Sequence, residues 1–265
     1  MIYINGSPLN VTIFPDHTSQ VWQVKQLNIP NTDWVHIVWD FQHEAEFMHI
    51  SQLKMLLDDS FGRKFRSTLR IKYLPYGRQD KIVSNDTTFA LRSFAKALNA
   101  LKFEEVVIHD PHSQLAIQWI ENSRDVYPID EVDKAMELTL STMMCFPDKG
   151  AMAKYKHLYP RPYTYGEKVR DQITSKILKY ELKNPSSVHE ENVLIVDDIC
   201  DGGATFVILA RELLANGAKE VNLFVTHGIF SKGLTPLFDA GIKRVFTQEG
   251  EMSQHGNQIA HRKFV

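Results

Sequence analysis

The chain has 265 residues, 43% of them hydrophobic, which suffices for one large or two smaller buried cores and is wrong for a disordered chain. Thirty Lys and Arg against 32 Asp and Glu leave a formal net charge of -2, which argues against nucleic-acid or membrane-surface binding through bulk positive charge. Two cysteines, Cys145 and Cys200, leave no disulfide framework and no Cys-rich zinc site.

The N-terminal stretch MIYINGSPLN lacks the basic-then-apolar layout of a secretory leader, and no apolar run approaches the ~20 residues of a bilayer span. Along the chain, Val35–Phe41, Leu69–Leu74, Glu105–His109, Val193–Val196 and Val221–Thr226 read as strands. They are mostly continuously apolar, as strands buried on both faces of a parallel sheet are. Between the second and third lies an amphipathic helix, Thr87–Leu101, with Phe94, Leu98 and Leu101 on one face and Asp86 as its expected N-cap. A stretch rich in Lys, Tyr and Pro follows at Asp148–Lys168, and Lys183–Asn192 reads as a solvated connection. A last apolar helix, Thr205–Asn216, is expected to stop at Gly217. This alternation predicts an α/β fold in two lobes, each a mostly parallel sheet flanked by helices, with ligands gathered at the C-terminal strand edges. The boundary is expected within 125–140, giving lobes of 1–130 and 131–265.

The segment Val193–Thr205 (VLIVDDICDGGAT) carries the most chemistry. An apolar strand delivers Asp197 and Asp198 to an edge where a ribose diol or hydrated Mg²⁺ could meet them. Gly202, Gly203 and Ala204 then let backbone N–H groups approach an anion at a helix N-terminus, with Thr205 adding a hydroxyl.

This segment resembles the phosphoribosyl pyrophosphate motif of the phosphoribosyltransferase superfamily. Further segments, in family order, narrow the resemblance to the ribose-phosphate diphosphokinases, which make phosphoribosyl pyrophosphate from ATP and ribose 5-phosphate. Tyr73–Lys81 (YLPYGRQDK) is similar to the ATP-site signature, and His109–His112 (HDPH) to the metal segment. Phe146–Gly150 (FPDKG) resembles the ribose and magnesium loop, Glu167–Arg170 (EKVR) the mobile catalytic loop, and Thr226–Ser231 (THGIFS) the late strand end. Phe14-Pro-Asp16 resembles the segment that sandwiches adenine from a neighbouring subunit, although Thr18 stands where the family has Glu.

The resemblance implies two pseudo-repeated phosphoribosyltransferase-type lobes and a cytoplasmic home, a host's cytoplasm for a virus-encoded enzyme. It implies ATP contacts at Phe14, Asp16, Arg78, Gln79 and Asp80. His112 and Asp148 would hold Mg²⁺, and Lys168 and Arg170 would act with His112 in catalysis. Asp197, Asp198, Asp201, Gly202, Gly203, Ala204 and Thr205 would bind the ribose phosphate. A shared adenine site implies a homodimer or larger homo-oligomer.

One departure bears on the acceptor. Gly202 occupies a place where the family usually has Thr, so a hydroxyl donor is lost and room is gained beside the 5-phosphate. ADP-ribose, the acceptor of similar phage relatives that rebuild NAD, is therefore an alternative. A phosphoribosyltransferase that consumes phosphoribosyl pyrophosphate shares Val193–Thr205 but needs neither Arg78, Gln79, His112 nor the Lys168–Arg170 pair. A non-catalytic relative should lack one of the charged groups just named, and none is missing.

Overall fold

The computed structural model describes residues 1–22, 34–61, 66–170, 177–255 and 258–262, with backbone alone at 60, 61, 168–170, 177–179, 254, 255 and 258–262. The chain divides into two compact units, Met1–Tyr127 and Pro128–Val265.

The first unit holds β1 (Ile2–Ile4), β2 (Ser7–Pro8), β3 (Asn10–Ile13), β4 (Ser19–Trp22), β5 (Trp34–Trp39), α1 (Glu46–Phe61), β6 (Arg66–Ile71), α2 (Ala90–Asn99), β7 (Glu105–His109), α3 (Leu115–Trp119) and β8 (Ser123–Val126). Its main sheet runs β2-β1-β5-β6-β7-β8, parallel from β5 to β8. Ile37, Trp39, Leu69, Ile71 and Ile108 are fully buried and pack with Ile50 and Leu53 of α1 and Leu91 of α2. Burying Trp39 requires a partner for its indole N–H, which it donates to Glu46 Oε2 at 2.9 Å.

The β3–β4 hairpin forms a separate two-stranded sheet, pinned to α1 by Gln52. The Gln52 amide accepts from Val21 N–H at 3.0 Å and donates to Ser19 O at 2.9 Å.

Helix α2 begins later than its expected start. Asp86 is not its N-cap: its carboxylate accepts from Ser84 Oγ, while Thr87 Oγ1 accepts the N–H groups of Val83 and Ser84. These bonds close a local turn before the helix, and Phe89 stands at the cap without a side-chain bond. Of the expected apolar face, Phe94 and Leu98 are buried beside Leu91 and Ala95, whereas Leu101 lies beyond the helix end and is half-buried.

The second unit holds α4 (Ile129–Thr139), β9 (Met143–Phe146), α5 (Lys149–Tyr155), β10 (Tyr163–Arg170), β11 (Ile177–Leu182), β12 (Asn192–Cys200), α6 (Ala204–Ala215), β13 (Glu220–Gly228), α7 (Thr235–Asp239), β14 (Ile242–Thr247), β15 (Gly250–His255) and β16 (Gln258–Arg262). The sheet order is β11-β10-β9-β12-β13-β14-β15-β16. From β10 to β14 the pairing is parallel, and both flanks are antiparallel. Val193, Ile195, Leu223 and Val245 pack with Leu209 and Leu213 of α6.

Helix α6 ends as Gly217 predicts. With Gly217 at φ +86, its N–H donates to Leu214 O and that of Ala218 to Leu213 O, satisfying carbonyls the helix leaves over. The stretch expected as a solvated connection instead contains a 3-10 turn at Pro185–Val188, with Val188 buried. Among the described residues no helix is long and apolar enough to cross a membrane. Cys145 and Cys200 are free and buried, and burial pushes both thiols up, Cys200 to about 12.

Strand β10 shows how closely the second unit is packed. A Cβ at Gly166 would fall 2.1 Å from the Tyr180 hydroxyl on β11, and that hydroxyl donates to Pro147 O. We expect Gly166→Ala to destabilise the protein by about 1–3 kcal/mol through overpacking. A thermal melt checks this: a fall of several degrees is expected, and an unchanged midpoint would contradict the packing of Tyr180 on Gly166.

Candidate functional site

The sequence-predicted residues separate into two sets. Phe14, Asp16, Arg78, Gln79, Asp80 and His112 belong to the first unit, and Asp148, Lys168, Arg170 and Asp197–Thr205 to the second.

In the second unit, β12 continues beyond the acid pair. Asp197 lies in register with Val225, and pairing with β13 extends to Cys200 opposite Gly228. The two carboxylates are therefore built into the sheet rather than hung from a loop, which corrects the expected strand end. Asp198 is buried, and its N–H donates to Asp197 Oδ1 at 2.9 Å. Burial raises Asp197 well above the usual carboxylate range, and the charges of Asp198 and Asp148 add to the effect. Three acids thus act on one place, at the C-terminal ends of the adjacent parallel strands β9 and β12. A cation or a ribose diol would relieve their repulsion.

After Cys200 the chain turns through Asp201, Gly202 and Gly203 into α6. Gly203, at φ +75, occupies the N-cap and supplies no side-chain bond to the first turn. Without such a cap, the backbone N–H groups of Ala204, Thr205 and Phe206 begin the helix with no carbonyl four residues earlier inside it. This is the arrangement that receives a phosphate. The loop is held from below: the N–H groups of Ile229 and Phe230 donate to Cys200 O, and Ser231 Oγ donates to Asp201 Oδ1 at 2.6 Å.

Asp148 has a structural task that the sequence reading did not foresee. Its Oδ1 accepts from Ala151 N–H at 3.0 Å and caps α5. That oxygen is thus committed to the start of the helix. Among the described residues no group of three or more His, Cys, Asp or Glu is arranged to hold a metal by itself. A magnesium ion carried in by ATP phosphates needs only one or two protein carboxylates and keeps waters. The concentration of negative charge around Asp148, Asp197 and Asp198 fits such an ion.

Lys168 and Arg170, expected in a loop, lie instead on β10. There β10 and β11 form an antiparallel ribbon, Lys168 opposite Tyr180 and Arg170 opposite Ile177, with a register shift between Val169 and Arg170. The connection that follows lies outside the described residues. Glu167, just before this pair, binds Lys149 at 2.7 Å and Lys183 at 3.0 Å; these cations hold its carboxyl below the usual range, Lys149 foremost.

In the first unit, Arg78 and Gln79 are exposed and Asp80 half-buried, in the turn that follows β6. Gln79 N–H donates to Tyr76 O, Gln79 O accepts from Leu91 N–H, and the Tyr76 hydroxyl donates to Glu44 at 2.6 Å. That bond to Glu44 pushes Tyr76 up to about 12 and fixes the base of the turn. His112 is exposed beyond the C-terminal edge of β7. Asp110, two residues earlier, is buried at φ +43, and its N–H donates to Val126 O.

Phe14 is 38% exposed in the turn of the β3–β4 hairpin. Asp16 Oδ1 accepts both the hydroxyl and the N–H of Thr18, which hold its carboxyl below the usual range. Thr18, where a second carboxylate was expected, therefore closes the turn onto Asp16.

Sequence reasoning missed Tyr180, whose hydroxyl reaches Pro147 O beside Asp148, and Lys232, whose stem lies over Gly202. Tyr180 sits in a mixed stretch, ILKYEL, where only strand pairing shows its importance. Lys232 directly follows the recognised THGIFS segment and was within reach of the sequence.

No family model matches the chain. Curated relatives do, each named ribose-phosphate pyrophosphokinase. That of Pyrococcus abyssi is 30% identical over 186 residues, 68% of this chain and 64% of the relative. Those of Sulfurisphaera tokodaii and Mycoplasmopsis pulmonis are 24% and 28% identical over 89% and 88% of this chain, covering 81% and 73% of the relatives. Against the Pyrococcus abyssi protein, then, the match spans just under two thirds of the relative's length. Among solved structures, the phosphoribosylpyrophosphate synthetase of Mycobacterium smegmatis superposes with a TM-score of 0.68 at 19% identity, over 91% of this chain and 79% of that one. That likeness shows a shared fold of two mostly parallel sheets flanked by helices. Together with the curated relatives, it makes the chain similar to the ribose-phosphate pyrophosphokinases over most of its length.

Proposed function

We propose that the protein is a Mg²⁺-dependent diphosphotransferase that moves the β,γ-diphosphate of ATP to the anomeric hydroxyl of ribose 5-phosphate, releasing AMP. The observation that carries this reading is the acid pair Asp197–Asp198 followed directly by a glycine-capped turn at the N-terminus of α6. It offers acceptors to a ribose diol and donors to a phosphate a few residues apart on one strand end. The names of the curated relatives support the same chemistry.

Asp197 and Asp198 accept from the 2- and 3-hydroxyls, and the loop Asp201–Thr205 takes the 5-phosphate. The anomeric hydroxyl is thereby fixed for in-line attack on the β-phosphorus, a step governed by positioning and charge neutralisation. Arg78, Gln79 and Asp80 hold the ATP. Phe14 stacks on adenine and Asp16 accepts from its amino group, across a subunit interface of a homo-oligomer. Lys168 and Arg170 neutralise charge on the transferring group and its leaving phosphate. His112 and Asp148 would hold Mg²⁺, which when bound screens the charge of the ATP oxygens. The working compartment is cytoplasmic. ADP-ribose is the second acceptor to consider, because Gly202 places no side chain beside the 5-phosphate.

The direct test is AMP formation from ATP and Mg²⁺ with each acceptor, followed by chromatography. Acceptor-dependent AMP release abolished by a chelator is expected, and equal inactivity with both acceptors would overturn the reading.

Two variants probe the chemistry further. Lys168→Ala should lower kcat at least ~100-fold, as loss of a transition-state charge partner does, with little change in melting temperature. Turnover surviving within a few-fold would remove Lys168 from the mechanism.

Asp197→Asn should abolish turnover yet raise the melting temperature, because it removes a half-buried carboxylate beside Asp198. The pH dependence has a definite sign. A carboxyl whose folded-state pKa is raised makes the protein lose stability as pH climbs from the ordinary carboxylate value through the raised one. The variant should lack that loss, which urea unfolding across pH measures; an unchanged pH profile would contradict the strain assigned to Asp197.

A further inference from the structure

We infer that Lys232 is a specificity-determining residue, a cation that reads the phosphate of the acceptor held in the Asp201–Thr205 loop. This deepens the reading of that loop as a phosphate site and rests on it.

The space beside Gly202 is not empty. If Gly202 carried a Cβ, that atom would lie 3.5 Å from Lys232 Cε, 3.6 Å from Cδ and 3.9 Å from Cγ. Three successive methylenes of the lysine thus run along the open side of the loop, in ordinary van der Waals contact with the missing side chain's position. A longer side chain at 202 would have to displace this stem. Glycine at 202 and lysine at 232 therefore belong together: one surrenders a hydroxyl, and the other brings an ammonium across the vacated surface.

The backbone holds Lys232 in that place. Ser231 donates its N–H to Asp201 O at 3.2 Å and its hydroxyl to Asp201 Oδ1 at 2.6 Å. Ile229 and Phe230 both donate to Cys200 O, at 2.9 and 3.1 Å. Gly233, at φ +70, donates to Phe230 O at 2.8 Å and turns the chain immediately after Lys232. Phe230 itself adopts φ +47, an uncommon conformation for a side chain of that size, and is buried. The segment 229–233 is thus stapled, residue by residue, to the segment that makes the phosphate loop. Lys232 itself is exposed, so its ammonium can meet the outer oxygens of a phosphate.

The Lys232 stem lies beside Gly202, one residue before the N-cap of α6, where a helix disfavours a cation unless an anion joins it. A phosphorylated pentose supplies that anion. The neutral hydroxyl of a Thr at 202 would give one hydrogen bond, whereas a lysine adds charge and reach. Its position outside the loop favours an acceptor with charge on that side of the 5-phosphate.

Calorimetric titration tests the assignment without relying on turnover. The wild-type protein, Lys232→Met and Lys232→Arg are each titrated with ribose 5-phosphate, ADP-ribose and unphosphorylated ribose. Methionine keeps a stem of similar length over Gly202 and removes only the charge. We expect Lys232→Met to weaken ribose 5-phosphate about tenfold, as loss of a charge-assisted phosphate contact does. Lys232→Arg should restore most of the affinity, and ribose should bind all three proteins alike.

An equal loss for the two phosphorylated ligands assigns the ammonium to the 5-phosphate itself. A severalfold larger loss for ADP-ribose assigns it to the second phosphate. Unchanged affinity of Lys232→Met for both would overturn the proposal, as would a loss for unphosphorylated ribose of the same size. A protein that binds ribose 5-phosphate through Lys232 yet releases no AMP would overturn the proposed reaction and leave this assignment standing.

Discussion

Two consecutive carboxylates near the end of a buried strand are costly, and the second unit is organised around that cost. Asp198 is almost without exposure, and Asp197 is raised by burial and by its acidic neighbours. A sheet could avoid this by ending β12 earlier. Instead the parallel pairing with β13 continues three residues beyond Asp197, so hydrogen bonds of the sheet fix both acids in place. The same extension presents Cys200 O to the N–H groups of Ile229 and Phe230. The turn into α6 therefore starts from a rigid base, and the loop proposed to accept a phosphate inherits its shape from the strand.

From this arrangement a division of labour follows. The sheet supplies fixed acceptors, the glycine turn supplies backbone donors, and cations would be added from neighbouring segments. Asp148 adds its charge to the acid pair while capping α5, so one residue ties that cluster to the start of a helix. Tyr180, with its hydroxyl on Pro147 O, is fitted against the glycine of β10 and supports the strand leading to Lys168. Sites that concentrate like charge in this way trade stability for ligand affinity.

Much of this was legible in the sequence. The central parallel strands were visible because both their faces are buried and their residues run apolar without alternation, as Val193–Val196 and Val221–Thr226 do. Gly217 announced the end of α6 because few other residues adopt its backbone conformation comfortably. Two strands were not legible: the edge strand Ser123–Val126 and the inner strand Tyr163–Arg170 mix polar and apolar residues, and only their neighbours in the sheet make them strands. Helix α2 was given the wrong start because Ser84, Asp86 and Thr87 can all compete for local backbone donors, and sequence does not say which wins.

The candidate site divides along similar lines. Its candidate residues were named by resemblance to a family, but the second duties of Asp148 as a cap and Thr18 as a turn closure were not visible in the sequence. Lys168 and Arg170 were expected in a loop because their segment resembles the family's mobile catalytic loop, whereas pairing with β11 makes it a ribbon.

The central claim is that the end of β12 and the start of α6 together bind a phosphorylated pentose. A crystal structure of the protein with ribose 5-phosphate tests it most directly. The account predicts the phosphate within hydrogen-bonding distance of the backbone N–H groups from Gly202 to Thr205, with the diol on Asp197 and Asp198. A pentose bound elsewhere, with this loop empty at saturating ligand, would contradict it.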